Sequence, residues 1–194
     1  MPHEDVRIRW AELDDAPAVL SIYAPYVEDT PITFETEVPS IAEFRDRMRD
    51  IMELYPYLIA EVDGAPVGYA YAHRSGERAA YAWDAEFSIY VDCAHTGRGI
   101  GGTLSRACLQ LLALQGVRNV FSLITLPNPA SIGLHESLGF RHMGIQEQAG
   151  YKLGGWHDVE WMQKAIGDFA GCPEPLVAAR ALDPGIVGDV LAGR

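Results

Sequence analysis

Three glycines alternate in Thr96-Gly97-Arg98-Gly99-Ile100-Gly101. That spacing lets a backbone approach a ligand closely and turns consecutive N–H groups into one concave nest. A helical pattern follows directly, with Leu104, Cys108, Leu111 and Leu112 on one side and Gly116 just past its end. The positive end of such a helix adds to the nest, and the two together suit a pyrophosphate. Taken alone the loop also fits an ordinary glycine turn. It is not a Walker A loop, because no Gly-Lys-Ser/Thr follows, and no acidic residue on a later strand completes a dinucleotide fingerprint.

Ahead of the loop, Phe87, Ile89 and Val91 alternate with Glu86, Ser88 and Tyr90. This period of two predicts a strand with one apolar face and one that is either functional or simply solvated. Glu86 on the second face is a candidate general base, although an ordinary carboxylate titrates near 4.3. It would therefore need a raised pKa or a water relay to accept an amine proton. His135, in a later helical stretch, carries an imidazole able to move protons near neutrality, and reads equally as a packed histidine. Arg78 and Tyr81 stand just before the strand, where a guanidinium fork suits an anionic head group and a solvated surface position is the alternative.

The elements that must hold these residues are legible in outline. Residues 6–10 read as an opening strand, and Asp14 or Asp15 can cap a helix bearing Val19, Leu20, Ile22 and Tyr23. Ser40 and Glu43 make a capping box for a second helix ending near Tyr55-Pro56. Residues 57–62 and 67–72 flank Asp63-Gly64, a strong hairpin signal. After the strand at 83–92 and the glycine loop with its helix come a strand at 119–124, a short helix at 128–138, and two strands around Gly154-Gly155 ending near Met162. There is no internal repeat. The order predicts an α/β (α+β) domain over 1–166, a mixed and mostly antiparallel sheet flanked by helices. Beyond Ile166 the periodicity fades, and 167–194 read as a tail of uncertain order.

Composition narrows the function. With 194 residues, 48% of them hydrophobic, one substantial core is affordable and two domains are not. The formal net charge of −12 disfavours a nucleic-acid partner. A polyanionic ligand would then be held by local donors against an unfavourable overall field. No run of eighteen apolar residues suggests a membrane span, and the N-terminus has neither the basic start nor the apolar stretch of a secretory signal. Cys93, Cys108 and Cys172 lack the spacing of a zinc site or a disulfide framework. A cytoplasmic protein without a metal or a membrane partner is expected.

Two motifs in order carry a resemblance: Thr96-x-x-Gly99-x-Gly101 opening a helix, then Asn128-x-x-Ser131 and Leu134-His135-Glu136-Ser137-Leu138-Gly139-Phe140. Together they resemble the GCN5-related N-acetyltransferase (GNAT) superfamily, with Thr96 departing from the Arg or Gln usual at the first position. A nearer resemblance, over about residues 7–163, is to the phosphinothricin and methionine-sulfoximine acetyltransferase family. It rests on Phe34-Glu35-Thr36-Glu37, Tyr55-Pro56, Ala60-Glu61-Val62-Asp63-Gly64, Arg78-x-x-Tyr81-x-Trp83, Glu86-x-x-Ile89-Tyr90-Val91 and Trp156-His157-Asp158-Val159.

The resemblance implies acetyl-CoA as cosubstrate, held by Ile89, Tyr90, Val91, the loop from Thr96 through Gly97, Arg98, Gly99 and Ile100 to Gly101, and by Asn128 and Ser131. It also implies Glu86 and His135 as catalytic groups, with His135 near the thioester sulfur, and an acceptor pocket of Phe34, Arg78, Tyr81 and Trp156. Phe34 and Trp156 read as well as plain core packing. The implied acceptors are small amino acids bearing a phosphinate, sulfoximine or sulfone, and the implied assembly is a homodimer. Two other readings stay open. One is acetylation of a polyamine, an aminoglycoside or a protein N-terminus; the other is an acyl-CoA-binding sensor without turnover.

Overall fold

A computed structural model describes residues 6–194. Residues 1–5, where the stretch read as lacking a secretory signal begins, lie outside the described residues. Strand β1 (Arg7–Trp10) leads through a 3₁₀ turn into α1 (Ala16–Asp29). The predicted capping box starts α2 (Ile41–Met52): the Glu43 N–H donates to Ser40 Oγ, and the Glu43 carboxylate accepts from the Ser40 N–H. Strands β2 (Tyr57–Val62) and β3 (Ala65–Arg74) form the predicted hairpin, with Asp63 and Gly64 both at positive φ, as a tight two-residue turn requires.

The chain continues through β4 (Asp84–Val91), α3 (Ile100–Gln115), β5 (Asn119–Thr125), α4 (Pro129–Ser137), β6 (Arg141–Lys152) and β7 (Gly155–Ala165). The last hairpin turns at Leu153 and Gly154, one residue earlier than the sequence suggested, because these two hold the positive φ values. All seven strands lie in one sheet of order β1-β2-β3-β4-β5-β7-β6, antiparallel except for β4 with β5. The expected mixed, mostly antiparallel sheet is what forms.

Alternation along the strands makes two cores. Leu58, Ala60, Ala70, Ala72, Ala85 and Phe87 face α3. Tyr57, Ile59 and Tyr69 face α1 and α2, meeting Val19, Tyr23, Phe44 and Met48. The parity predicted for β4 holds: Ile89 and Val91 pack on the first core, and Tyr90 on the second.

The stretch expected as a tail of uncertain order carries a further helix, α5 (Pro184–Leu191), capped by the Asp183 carboxylate. Val187 and Val190 bury into the first core. Gln115 Nε2 donates to the carbonyls of Leu54 and Val177, and the Arg180 guanidinium lies over the Trp10 ring at 4.9 Å. Helical periodicity is weak in so short a segment, and packing supplies its stability. No helix among the described residues is long and apolar enough to cross a membrane.

Candidate active site

The parallel pair is where the sheet opens. Strands β4 and β5 pair only at Asp84↔Asn119, Ala85↔Val120 and Glu86↔Phe121, although both continue further. Beyond Glu86 they run unpaired. The Phe87 carbonyl accepts from Ser122 Oγ at 3.4 Å, and the Val91 carbonyl accepts from the Tyr26 hydroxyl at 2.5 Å. Since backbone groups alternate along a strand, the N–H and C=O of Ile89, midway between them, point into the same opening.

At the far end of β4, Gly97 and Gly99 take φ values of 74° and 85°. The first helical bond of α3 runs from the Thr103 N–H to the Gly99 carbonyl, so the N–H groups of Ile100, Gly101 and Gly102 have no partner inside the helix. No side chain caps this end and no acidic residue lies in its first turn. This is an anion cradle made of backbone, and a cavity of about 340 Å³ lies against it. Ile89, Val91, Thr96, Gly97, Gly99, Ile100, Gly101, Asn128 and Ser131 line it. Tyr26, His95 and Leu134 join them: His95 adjoins the loop, Leu134 belongs to the second motif, and Tyr26 comes from the distant α1.

Two residues implied as cofactor-binding, Arg98 and Tyr90, do not line this cavity. The Arg98 guanidinium donates back to the Ala94 carbonyl at 2.9 Å and is off the cavity wall. Tyr90 turns to the other face of the sheet, packed edge-on against Tyr23 and Tyr26.

A second cavity of about 380 Å³ lies on that other face, lined by Glu86, His73, Tyr71, Ser88, Tyr90, Phe34 and Glu35 among others. Between the two is a narrow space of about 60 Å³. It shares Ile89, Asn128 and Ser131 with the first cavity, and Ser88, Tyr90 and Thr125 with the second. The opening between β4 and β5 thus joins the cradle to Glu86 through the sheet.

His135 stands at this join, packed edge-on against Phe87 and Phe140 and only 2% exposed. Its Nδ1 lies 2.8 Å from the Ser131 carbonyl, which accepts only from an N–H, so Nδ1 carries the proton. Nε2 is then a buried lone pair with no partner in the protein. Burial pushes the imidazole pKa down, partly opposed by that hydrogen bond. His135 is therefore set to accept a proton and has none to give until it has done so. In the unfolded chain the same ring titrates near its ordinary 6.5. The native state binds fewer protons below that value, so stability is kept above pH 6.5 and drains away as pH falls. Urea unfolding at about pH 5 and pH 7.5 is expected to show a smaller pH dependence in His135→Gln than in the wild type.

The segment 30–40 closes the second cavity, and the β6–β7 hairpin ties it down. Lys152, 5% exposed, donates from Nζ to the Thr33 carbonyl at 2.8 Å and reaches the Tyr26 carbonyl at 3.4 Å. Its pKa is lowered by burial. The Phe34 ring lies flat on Gly150, where a Cβ would meet it at 2.5 Å. Thr125 Oγ1 donates to the Ile32 carbonyl, and Tyr23 shares a 2.7 Å hydrogen bond with Thr33. Lys152→Met keeps the length and strands the Thr33 carbonyl, so urea unfolding should report a loss of about 2–3 kcal/mol.

Three expected acceptor residues are not brought to this cavity. His73 pairs with Glu86, and the Ser75 N–H donates to the Asp84 carbonyl, so the β3–β4 connection leaves the sheet at the start of β4. Tyr81 lies there, 47% exposed, on a separate cavity with Trp83, Arg118 and Phe169, and Arg78 immediately precedes its 3₁₀ turn. Trp156 sits near the tip of the β6–β7 hairpin, 62% exposed and packed on Tyr151. Phe34 alone of the four lines the cavity with Glu86. Among the described residues no group of three or more His, Cys, Asp or Glu is placed to hold a metal ion.

A splayed parallel pair, a backbone anion cradle at one end and a carboxylate cavity across the sheet define a group-transfer site for a long phosphorylated donor. Comparison with known proteins agrees. The acetyltransferase (GNAT) domain family matches residues 8–161, and the chain belongs to that family. It is 40% identical to the phosphinothricin N-acetyltransferase of Streptomyces viridochromogenes over 88% of this chain and 93% of that one. It is 33% identical to an L-methionine sulfoximine/L-methionine sulfone acetyltransferase of Pseudomonas aeruginosa, over 86% of this chain and 98% of that one. A crystal structure of a phosphinothricin acetyltransferase from Sinorhizobium meliloti in complex with AcCoA superposes with a TM-score of 0.84 at 34% identity, covering 87% of this chain and 93% of that one.

Proposed function

We propose that this protein moves the acetyl group of acetyl-CoA to the amino group of a small amino-acid-like acceptor of the phosphinothricin, methionine sulfoximine or methionine sulfone type. The observation that carries the reading is the continuous path from the glycine cradle, past His135, to Glu86. The named activities of the relatives support the acceptor class.

Bound acetyl-CoA supplies the thioester. The N–H groups at the start of α3 receive its pyrophosphate, with Gly97 and Gly99 giving the loop the turn this needs. The open edge of β4 at Ile89 receives the amide-bearing arm, as one strand receives another. Glu86 receives the acceptor ammonium on that side, where its carboxylate offsets the positive charge. His135 Nε2 takes the second amine proton as the C–N bond forms and returns it to the departing thiolate, in keeping with its neutral, acceptor state. Arg98, Arg78 and Tyr81 have no part in this assignment.

We assign the exposed edge strand β6 and its hairpin to contact with a second copy. Met143, Ile145, Tyr151, Leu153 and Trp156 all stand more than half exposed there, an apolar surface on an unpaired edge. A cytoplasmic setting fits Cys93, Cys108 and Cys172, which form no disulfide.

A second reading has one observation in its favour: the acceptor cavity carries Glu35 and Glu86 in a chain of net charge −12, which suits a polycation. Competition between methionine sulfone and spermidine decides between the two. A higher kcat/KM for the sulfone supports the amino-acid reading, and a higher value for spermidine overturns it.

A further inference from the structure

Glu86 is not alone in the acceptor cavity. Register pairs it with His73 across β3 and β4, and His73 Nε2 lies 3.6 Å from Glu86 Oε1. His73 Nδ1 lies 3.0 Å from the Arg74 carbonyl, an acceptor that fixes the proton on Nδ1. Neutral His73 therefore turns the lone pair of Nε2 to the carboxylate's side of the cavity. The two groups are too far apart to bond each other directly and close enough to bond the same nitrogen.

We propose that His73 is a catalytic base for this reaction: the acceptor ammonium is held between Glu86 and His73, and Nε2 of His73 removes its first proton. This rests on the acetyl-transfer reading above. The ammonium N–H bond breaks and its electron pair stays on nitrogen, while the proton forms a new bond to Nε2. The amine then attacks the thioester carbon, the C–N bond forms and the C–S bond breaks with its electron pair going to sulfur. His135 carries the second amine proton to that thiolate. One proton is released overall, from His73.

The position of His73 suits each part of this role. The imidazolium formed lies against the Glu86 carboxylate, which offsets its charge. Its side chain is 37% exposed, so the proton has a way out to solvent. An imidazole changes charge near neutrality, where an ordinary carboxylate is a poor proton acceptor.

The other titratable groups of the cavity are Tyr23, Tyr71, Tyr90 and Glu35. Burial raises all three tyrosines, Tyr23 to about 12, and Arg47 pairs with Glu35 at 2.6 Å. Arg74 adjoins His73 and donates to the Arg78 carbonyl. Among the described residues this leaves His73 as the one imidazole that lines the cavity beside Glu86.

The test compares wild type, His73→Gln and His73→Ala with acetyl-CoA and the best of methionine sulfone, methionine sulfoximine and phosphinothricin. His73→Gln is expected to lower kcat/KM for the amine by roughly 10²-fold at pH 7. The deficit should shrink to a few-fold at about pH 9.5, where the amine is free without help. Added imidazole should restore part of the His73→Ala rate, while the acetyl-CoA Kd and the melting temperature stay at wild-type values. A loss that is equal at every pH and not rescued by imidazole, or no loss at all, overturns the proposal. A wild-type protein that acetylates none of the amines instead overturns the acetyl-transfer reading beneath it, so the two failures are told apart.

Discussion

Glu86→Gln is expected to lower kcat/KM for the acceptor amine by roughly 10²- to 10³-fold, with acetyl-CoA bound as tightly as before. The substitution keeps the shape and hydrogen-bonding length of the side chain and removes its charge and its basicity. Glu86 lines the acceptor cavity and not the cradle cavity, so cofactor affinity has no reason to change. Its side chain is 27% exposed and stands 3.6 Å from His73, so the fold should tolerate the exchange within about 0.5 kcal/mol. The split between an intact Kd and a lost rate, read by calorimetry and steady-state kinetics, separates a catalytic carboxylate from a structural one. A loss of less than about three-fold contradicts the role given to Glu86.

Gly99→Val is expected to act on the other half of the site, weakening acetyl-CoA by roughly 10²-fold, about 2.7 kcal/mol. No atom within 4 Å would meet a Cβ at Gly99, so crowding by the protein is not the cause. The cause is φ of 85°, a left-handed conformation that costs a side-chain-bearing residue about 1–2 kcal/mol, and a β-branched one most of all. A backbone that relaxes from it turns the next N–H groups out of the cradle, losing about 1 kcal/mol for each bond to the pyrophosphate. Equilibrium binding should show the loss without any change in the pH dependence of the residual rate. An unchanged Kd would mean that the pyrophosphate is not held at the start of α3.

Much of the fold and part of the candidate site are legible in the sequence, because their signals are local. The capping box of Ser40 and Glu43, the turn at Asp63 and Gly64, and the alternation that sets Glu86 opposite Phe87 each depend on neighbours in sequence. The glycine loop is local too, and its nest forms as its spacing requires. What stayed hidden depends on register between distant segments. Nothing near His73 marks it as a partner of Glu86, because a connection as long as that between β3 and β4 does not fix how the strands align.

The same uncertainty holds for Arg78 and Tyr81, which stand on that connection and do not line the cavity with Glu86. Helix α5 leaves no such local signal, because its stability comes from Val187 and Val190 meeting a core built mostly from earlier residues. Tyr26 of α1 reaches the cradle cavity through tertiary placement alone.

The most direct measurement of the central claim is mass spectrometry of the reaction products with acetyl-CoA and methionine sulfone, followed together with release of free thiol. The account predicts that the amino acid gains one acetyl group, in equal amount to the thiol released, and that neither appears when the amine is withheld. Tight acetyl-CoA binding with no acetylated product from this or the related acids, or thiol release that does not depend on the amine, would contradict it.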